Sequence, residues 1–125
     1  MKSDIVYFFV KDNSEIVDPT APIPFADEVL DDGDKIKDGV FTAPVSGFYF
    51  FAFNVPNSKV SLVTMTSAKK ELSEHKTEGS FGAALELEKG TQVFLKLDAP
   101  PGNILPRQFS GVLLKQTLFA KKDEL

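Results

Sequence analysis

The sequence contains no cysteine, no tryptophan and only one histidine among its 125 residues. Without cysteine the chain cannot form a disulfide framework, a thiol nucleophile or a thiolate metal site. The single histidine, His75, cannot supply several imidazole ligands to one metal ion, and no Gly-x-Ser-x-Gly nucleophile motif occurs anywhere in the chain. The sequence therefore predicts a protein that is not an enzyme.

The sequence also has no excess of positive charge and no long apolar run. Fourteen basic and 18 acidic residues give a net charge of −4, whereas proteins that bind nucleic acid are normally basic. No apolar run reaches the length of a membrane-spanning helix. We therefore expect neither nucleic acid nor an inserted membrane segment as a partner. We expect one domain over residues 1–125, with a core at about 5–115 and a tail at 116–125.

Turn-forming residues divide the chain into short apolar runs. Three prolines between Asp18 and Pro24 exclude a helix and a central strand there. The Asp38-Gly39 pair is a strong hairpin signal, and further turn formers occur at 55–58, 89–90 and 98–103. The apolar runs between these turns recur about every ten residues, which is typical of an all-β sandwich or barrel.

Alternating side chains support strands over helices. Residues 83–87 and 93–97 alternate with period two, as expected for strands. The run Gly47–Val55 is apolar on both faces, because Phe48 and Phe50 alternate with Tyr49, Phe51, Phe53 and Val55. A strand that is apolar on both faces must be covered on both faces, so we expect a second copy of the chain to cover one of them. The stretch Ser67–Lys76 is instead interpreted as an exposed, charged connection, with a short strand inside it as the alternative.

Three separated motifs resemble the globular domain of complement C1q. The family pattern is Phe, five residues, Asn or Asp, then Phe, five residues, Gly-x-Tyr-x-Phe-x-aromatic. Its positions are occupied here by Phe25, Asp31, Phe41, Gly47, Tyr49, Phe51 and Phe53. Residues 108–114 resemble the closing strand of the family, and residues 87–93 resemble its Leu-Glu-x-Gly hairpin. The resemblance covers about residues 5–115.

The resemblance implies an all-β fold, a ten-stranded jelly-roll sandwich of the C1q and tumour-necrosis-factor type that assembles as a homotrimer. It implies a non-enzymatic module that recognises proteins or other macromolecules through loops. The candidate loops are Asp31–Asp38, Ser67–Gly79 and Asp98–Pro106. Two alternatives stay open: a cytokine-like ligand whose receptor enters the grooves between protomers, and an intracellular regulator that uses the same fold.

Calcium is the only cofactor that the resemblance suggests. Several relatives bind it near the threefold axis with acidic residues in the loop before a strand that would begin here near Ser80. Glu74 and Glu78 are the candidate ligands, with Glu71 nearby, since calcium prefers carboxylate oxygens. Thr77 stands where relatives often have an aspartate, so the sequence departs from the pattern at this point.

The last four residues, Lys122–Leu125, spell an endoplasmic-reticulum retrieval signal. Such a signal acts only on a chain that has entered the secretory pathway, and the first residues contain no leader-like apolar segment. Secretion is the expectation from the family resemblance. The lumen of the endoplasmic reticulum is the alternative if a leader is removed, and the cytoplasm is the alternative if Met1 is the native start.

Overall fold

The computed structural model describes residues 6–12, 21–25, 27–31, 35–98 and 106–117, without the side chain of Asn57. Within these residues the fold is all-β, as the sequence predicted, and no helix is long and apolar enough to cross a membrane. The eight strands of this part are β1 (Tyr7–Asp12), β2 (Asp27–Asp31), β3 (Ile36–Lys37), β4 (Val40–Thr42), β5 (Gly47–Met65), β6 (Glu71–Leu87), β7 (Gln92–Leu97) and β8 (Arg107–Gln116).

Two long strands, β5 and β6, run through both layers of the fold. The first half of β5 pairs with β8 and its second half pairs with β7, while β6 follows β5 along its whole length. The front layer has the order β2-β1-β8-β5-β6, and the back layer has the order β3-β4-β7-β5-β6, with all pairs antiparallel. The register of β5 against β6 shifts between Val55 and Lys59, where Pro56 has no N–H to donate to a ladder.

The number of strands implied by the resemblance stays a prediction. Eight strands are described in the part of the chain that the structure covers, because β5 and β6 each continue through the change of layer. The single-domain boundaries also stay a prediction. All eight described strands belong to one connected sheet.

The core contains the inward-facing side chains of both layers and is rich in aromatic rings. Tyr49 and Phe51 of β5 are 0% exposed, and so is Phe8 of β1. The ring centroids of Phe8 lie 5.1 Å from those of Phe41 and 5.0 Å from those of Phe109, within the range of favourable aromatic pairs. The Tyr49 hydroxyl donates a 2.6 Å hydrogen bond to the Val45 carbonyl oxygen, and burial raises the pKa of this hydroxyl. The five aromatic side chains therefore form one packed cluster between the layers.

A buried ion pair lies at one end of the core. Asp12 and Arg107 face each other across β1 and β8, and their side chains are 3.4 Å apart between Oδ2 and Nη2. Both residues are buried, because Asp12 continues the inward-facing series of Phe8 and Val10. A buried charge needs a partner of opposite sign, so each of these residues makes the burial of the other possible.

Most of the strand predictions are confirmed, but one is wrong. Leu87, Val93, Leu95 and Leu97 are buried as the alternation predicted. The interpretation of residues Ser67–Lys76 as a connection with at most a short strand is wrong in the length of the strand, because β6 begins at Glu71 and continues to Leu87, and only Thr66–Lys70 forms the turn. The first half of β6 is an edge strand with polar side chains on both faces, so it lacks the apolar alternation that marks a strand in sequence.

The aromatic cluster leaves no room for a side chain at Gly111. A Cβ atom at this position would lie 2.5 Å from Cε2 of Phe8 and 2.8 Å from Cδ1 of Phe51. These are atoms of buried rings that cannot move without disturbing their neighbours. Gly111 therefore sets the closeness of β8 to the rings of β1 and β5.

We predict that Gly111→Ala lowers the free energy of unfolding by about 1–3 kcal/mol, the usual cost of overpacking a core. Urea denaturation at fixed protein concentration measures the change. Ser110→Ala is the matched control, since the neighbouring Ser110 is partly exposed and its hydroxyl makes only a 3.4 Å hydrogen bond. Equal stability of the two variants would contradict the close packing at Gly111.

Candidate functional site

The outward face of the front layer is apolar at its centre. Register places Tyr7, Val112, Phe50 and Ala84 side by side across four strands, and Phe9 faces outward two residues along β1 from Tyr7. We call this surface the front patch; its members are Tyr7, Phe9, Leu30, Phe48, Phe50, Val112 and Ala84. Phe48 is 41% exposed, Phe50 39% and Leu30 49%. Clustered exposed aromatics of this kind mark interaction surfaces in soluble proteins.

A glycine on β6 leaves space for the ring of Phe50 in the front patch. The ring of Phe50 lies over Gly82 of β6, where a Cβ atom would come within 2.9 Å of Cζ. Around this centre lie polar side chains of Lys11, Gln108 and Lys115, all exposed. An apolar centre inside a polar rim is the usual anatomy of a protein–protein interface.

A second apolar surface follows the edge of the sheet at β6. Among the described strands β6 pairs with β5 alone, so its other edge has no partner strand within this part of the chain. Phe81 is 39% exposed although its ring lies 6.1 Å from that of Phe53 on the core-facing side. Leu85 is only partly buried, and Leu72 is 55% exposed. We call these residues the β6 edge.

The glutamates predicted as calcium ligands lie on β6 and not in a loop. Glu74 is next to Lys96 of β7, with 3.6 Å between Oε2 and Nζ. A hydrogen bond from Ser61 lowers the pKa of Glu74 below its ordinary value, and attraction to Lys96 and Lys76 acts in the same direction. Ser61 has one hydroxyl proton and also lies 2.7 Å from Oδ2 of Asp98, so the two carboxylates compete for it. Glu74 is thus already bound by groups of its own chain.

Glu78 is farther along the same strand. It faces Lys59 of β5 and is exposed. Glu78 lies four positions after Glu74, which corresponds to about 13 Å between their Cα atoms, whereas each ligand oxygen must lie within about 2.6 Å of a calcium ion. No group of three or more metal-binding side chains occurs in the described part of the chain. The assignment of calcium to Glu74 and Glu78 therefore depends on further copies of the chain and stays a prediction.

The three predicted recognition loops have different outcomes. Ser67–Gly79 is mostly strand β6, so that prediction is wrong for all but its first four residues. Asp31 accepts hydrogen bonds from the backbone N–H groups of Lys35 at 2.8 Å and Ile36 at 3.2 Å, which stabilise the turn between β2 and β3. Residues 32–34, 99–105 and 118–125 lie outside the described residues, and with them most of Asp98–Pro106 and the whole Lys122–Leu125 signal.

The β6 edge is a feature that the sequence did not predict. The prediction of a doubly apolar strand at 47–55 is confirmed and leads directly to the front patch. Phe81 gave a weaker signal, because it stands alone among polar and small residues from Gly79 to Ala84. The solitary histidine, His75, is exposed on β6 opposite Leu62.

Comparison with known proteins relates the chain to a known family and fold. A family model described as the C1q domain matches residues 7–114. The globular domain of zebrafish complement 1qA is 23% identical, with a TM-score of 0.70, and its match covers 91% of this chain and 100% of that chain. A crystal structure of pika GITRL is 15% identical, with a TM-score of 0.59 and coverages of 93% and 100%. No curated protein matches the chain. At these identities the two solved structures establish the C1q and tumour-necrosis-factor type of fold.

The calcium assignment makes a prediction about thermal stability. If copies of Glu74 and Glu78 surround one ion, millimolar calcium raises the melting temperature, since a ligand of the folded state stabilises it by mass action. Magnesium should do less at the same concentration, because it tolerates wide oxygen cages poorly. Glu78→Gln removes the effect, whereas Glu86→Gln, a matched change elsewhere on β6, preserves it. A melting temperature that responds neither to calcium nor to chelator would rule the site out.

Proposed function

The chain belongs to the C1q domain family, and from this relationship we propose that it is a homotrimeric recognition module that binds protein or other macromolecular partners. C1q domain homologues are trimeric modules for recognition and ligand binding. Members of the C1q and tumour-necrosis-factor families are generally not enzymes, which supports a binding function without catalysis. C1q domain proteins are typically secreted, so we propose secretion for this chain as well.

The front patch is the observation that supports this proposal best. It exposes two phenylalanine rings, each about 40% accessible, on a layer whose other face is already the core. Covering them with a second copy removes apolar surface from water, which stabilises association in proportion to the area. The fold supplies no further layer over Phe48 and Phe50 within the described residues.

Two different apolar surfaces favour a ring over a twofold dimer. The front patch lies on the outward face of the front layer, whereas the β6 edge lies along the rim of the sandwich. If the β6 edge of one copy packs on the front patch of the next, each contact joins unlike surfaces. Contacts of this kind close into a ring when the rotation permits. A ring of three is the assembly that the family relationship supports.

The cytokine-like alternative differs in the location of the partner. In that case a receptor would contact the grooves between neighbouring protomers, whereas a loop-binding module would use the ends of the sandwich. Variants in a binding assay separate the two: a change at an exposed turn residue such as Asp38 leaves the affinity for a groove-bound receptor unchanged, whereas a change beside the front patch such as Lys115→Glu weakens it. The intracellular alternative is decided by the location of the protein in the cell.

We predict that Phe50→Glu converts the trimer to monomers. Three buried carboxylates without partners would oppose association, while the exposed position of Phe50 in one chain leaves the fold intact. Light scattering on a purified sample measures the mass, which is three times the chain mass of 13.7 kDa for the native assembly.

Thr42→Glu is the control for this experiment, since Thr42 is exposed on β4 in the back layer and the same charge there should leave the mass unchanged. Circular dichroism verifies that both variants are folded. A native protein with the mass of one chain at micromolar concentration, or a Phe50→Glu variant that stays trimeric, would contradict the proposed role of the front patch.

A further inference from the structure

The outward face of the back layer contains a groove that the proposed assembly leaves uncovered. Val63 of β5 and Phe94 of β7 are paired in register and face away from the core, because the neighbouring Leu62 and Leu95 face into it. Both are nevertheless buried, with 1% of Val63 and 7% of Phe94 exposed. They form the floor of a groove of about 300 Å³, whose apolar walls include Pro22, Val40 and Met65. This volume is at the lower end of the range for small-molecule sites.

Charged and amide groups surround the apolar floor. Lys69 reaches over one end, where its Nζ donates a 3.0 Å hydrogen bond to Oε1 of Gln92. Lys96 lines the groove at another point, 3.6 Å from Glu74, and Glu71 is the acidic residue of the lining. Glu74 balances the charge of Lys96, so Lys69, whose hydrogen bond goes to a neutral amide, is the cation that the lining offers to a ligand. An apolar body with a negative charge therefore complements this groove.

Lys69 is held in a backbone conformation that lysine seldom adopts. Its φ angle is +70°, in the left-handed region where glycine or asparagine is the usual residue of a hairpin turn. The turn is closed on both sides by hydrogen bonds to Thr66, from the Lys69 N–H at 2.9 Å and from the Lys70 N–H to Oγ1 at 3.1 Å. A strained non-glycine residue of this kind suggests a role for its side chain, and here that side chain reaches the groove.

We propose that this groove binds a small organic carboxylate with an apolar chain or ring, such as a short fatty acid. The apolar body contacts Val63 and Phe94, and the carboxylate accepts hydrogen bonds from Lys69, whose ammonium group has donors left beyond the one that Gln92 uses. This proposal rests on the proposed recognition function in one respect: the outward face of the back layer must stay uncovered in the trimer.

Titration with octanoate, followed by amide chemical shifts, tests the proposal. We expect saturable shifts at Val63, Met65 and Phe94 with an affinity of about millimolar, as is usual for a ligand of this size. 1-Octanol, which has the same chain without the charge, should bind more weakly to the native protein. Lys69→Gln should raise the dissociation constant for octanoate about fivefold, the effect of one partly exposed ion pair, and should leave that for 1-octanol unchanged.

Lys89→Gln is the matched control. Lys89 belongs to the lining of a second groove of about 420 Å³ that Leu72 and Leu85 of the β6 edge also line, so this change removes the same charge at the competing location. Shifts that cluster around Leu85 and Thr91, or an affinity that falls with Lys89→Gln and not with Lys69→Gln, would overturn the proposal. An absence of saturable shifts would overturn it too.

Two further variants keep the test independent of folding failures and of the assembly. Val40→Trp fills the groove and should abolish octanoate binding. Lys69→Gly should raise the melting temperature by about 3–5 °C, because it relieves the left-handed strain. It should also weaken octanoate binding as Lys69→Gln does. If Lys69 were purely structural, Lys69→Gly would raise the melting temperature without weakening octanoate binding. Light scattering on the same samples reports the trimer separately, so a monomeric protein that binds octanoate contradicts the assembly alone.

Discussion

Strand β5 is the element on which the rest of the structure depends. It pairs with β6, β7 and β8, and its two halves belong to different layers. Side chains of a strand alternate between faces, so the inward Tyr49 and Phe51 require that Phe48 and Phe50 face outward. The same strand therefore builds the core and creates the exposed apolar surface that calls for a second copy. The fold and the assembly that we propose thus depend on the same alternating run.

Close packing around that strand explains why small residues recur beside it. Gly111 lets β8 approach the rings of Phe8 and Phe51, and Gly82 makes room for the ring of Phe50 on the outer face. Because neither glycine has a side chain, Gly111 leaves space for rings in the core and Gly82 leaves space for a ring in the front patch. Asp12 and Arg107 are the charged residues among the buried ones that the structure describes, and their position follows from the inward alternation of β1.

The charged residues of the back layer have two kinds of surroundings. Glu74 lies among Ser61, Lys96 and Lys76, which lower the pKa of its carboxyl, so its charge is balanced within the chain. Its folded pKa lies below the unfolded value, and the stabilisation is therefore present above the unfolded pKa and is lost as the pH falls through the folded one. Lys69, in contrast, is exposed and makes its hydrogen bond to the neutral amide of Gln92, which leaves its positive charge available to a ligand.

Local alternation was enough to predict the all-β fold, the buried faces at 49–55 and 93–97, and the outward Phe48 and Phe50, because period-two patterns are a property of neighbouring residues. The signature from Phe41 to Phe53 was enough for the family. The first half of β6 could not be predicted in this way, since Leu72 is the one large apolar residue of Glu71–Glu78 and the segment becomes a strand only by pairing with β5. The groove over Val63 and Phe94 and the β6 edge depend on side chains from strands far apart in sequence. Only the tertiary structure brings those strands together, and it alone decides where these surfaces lie.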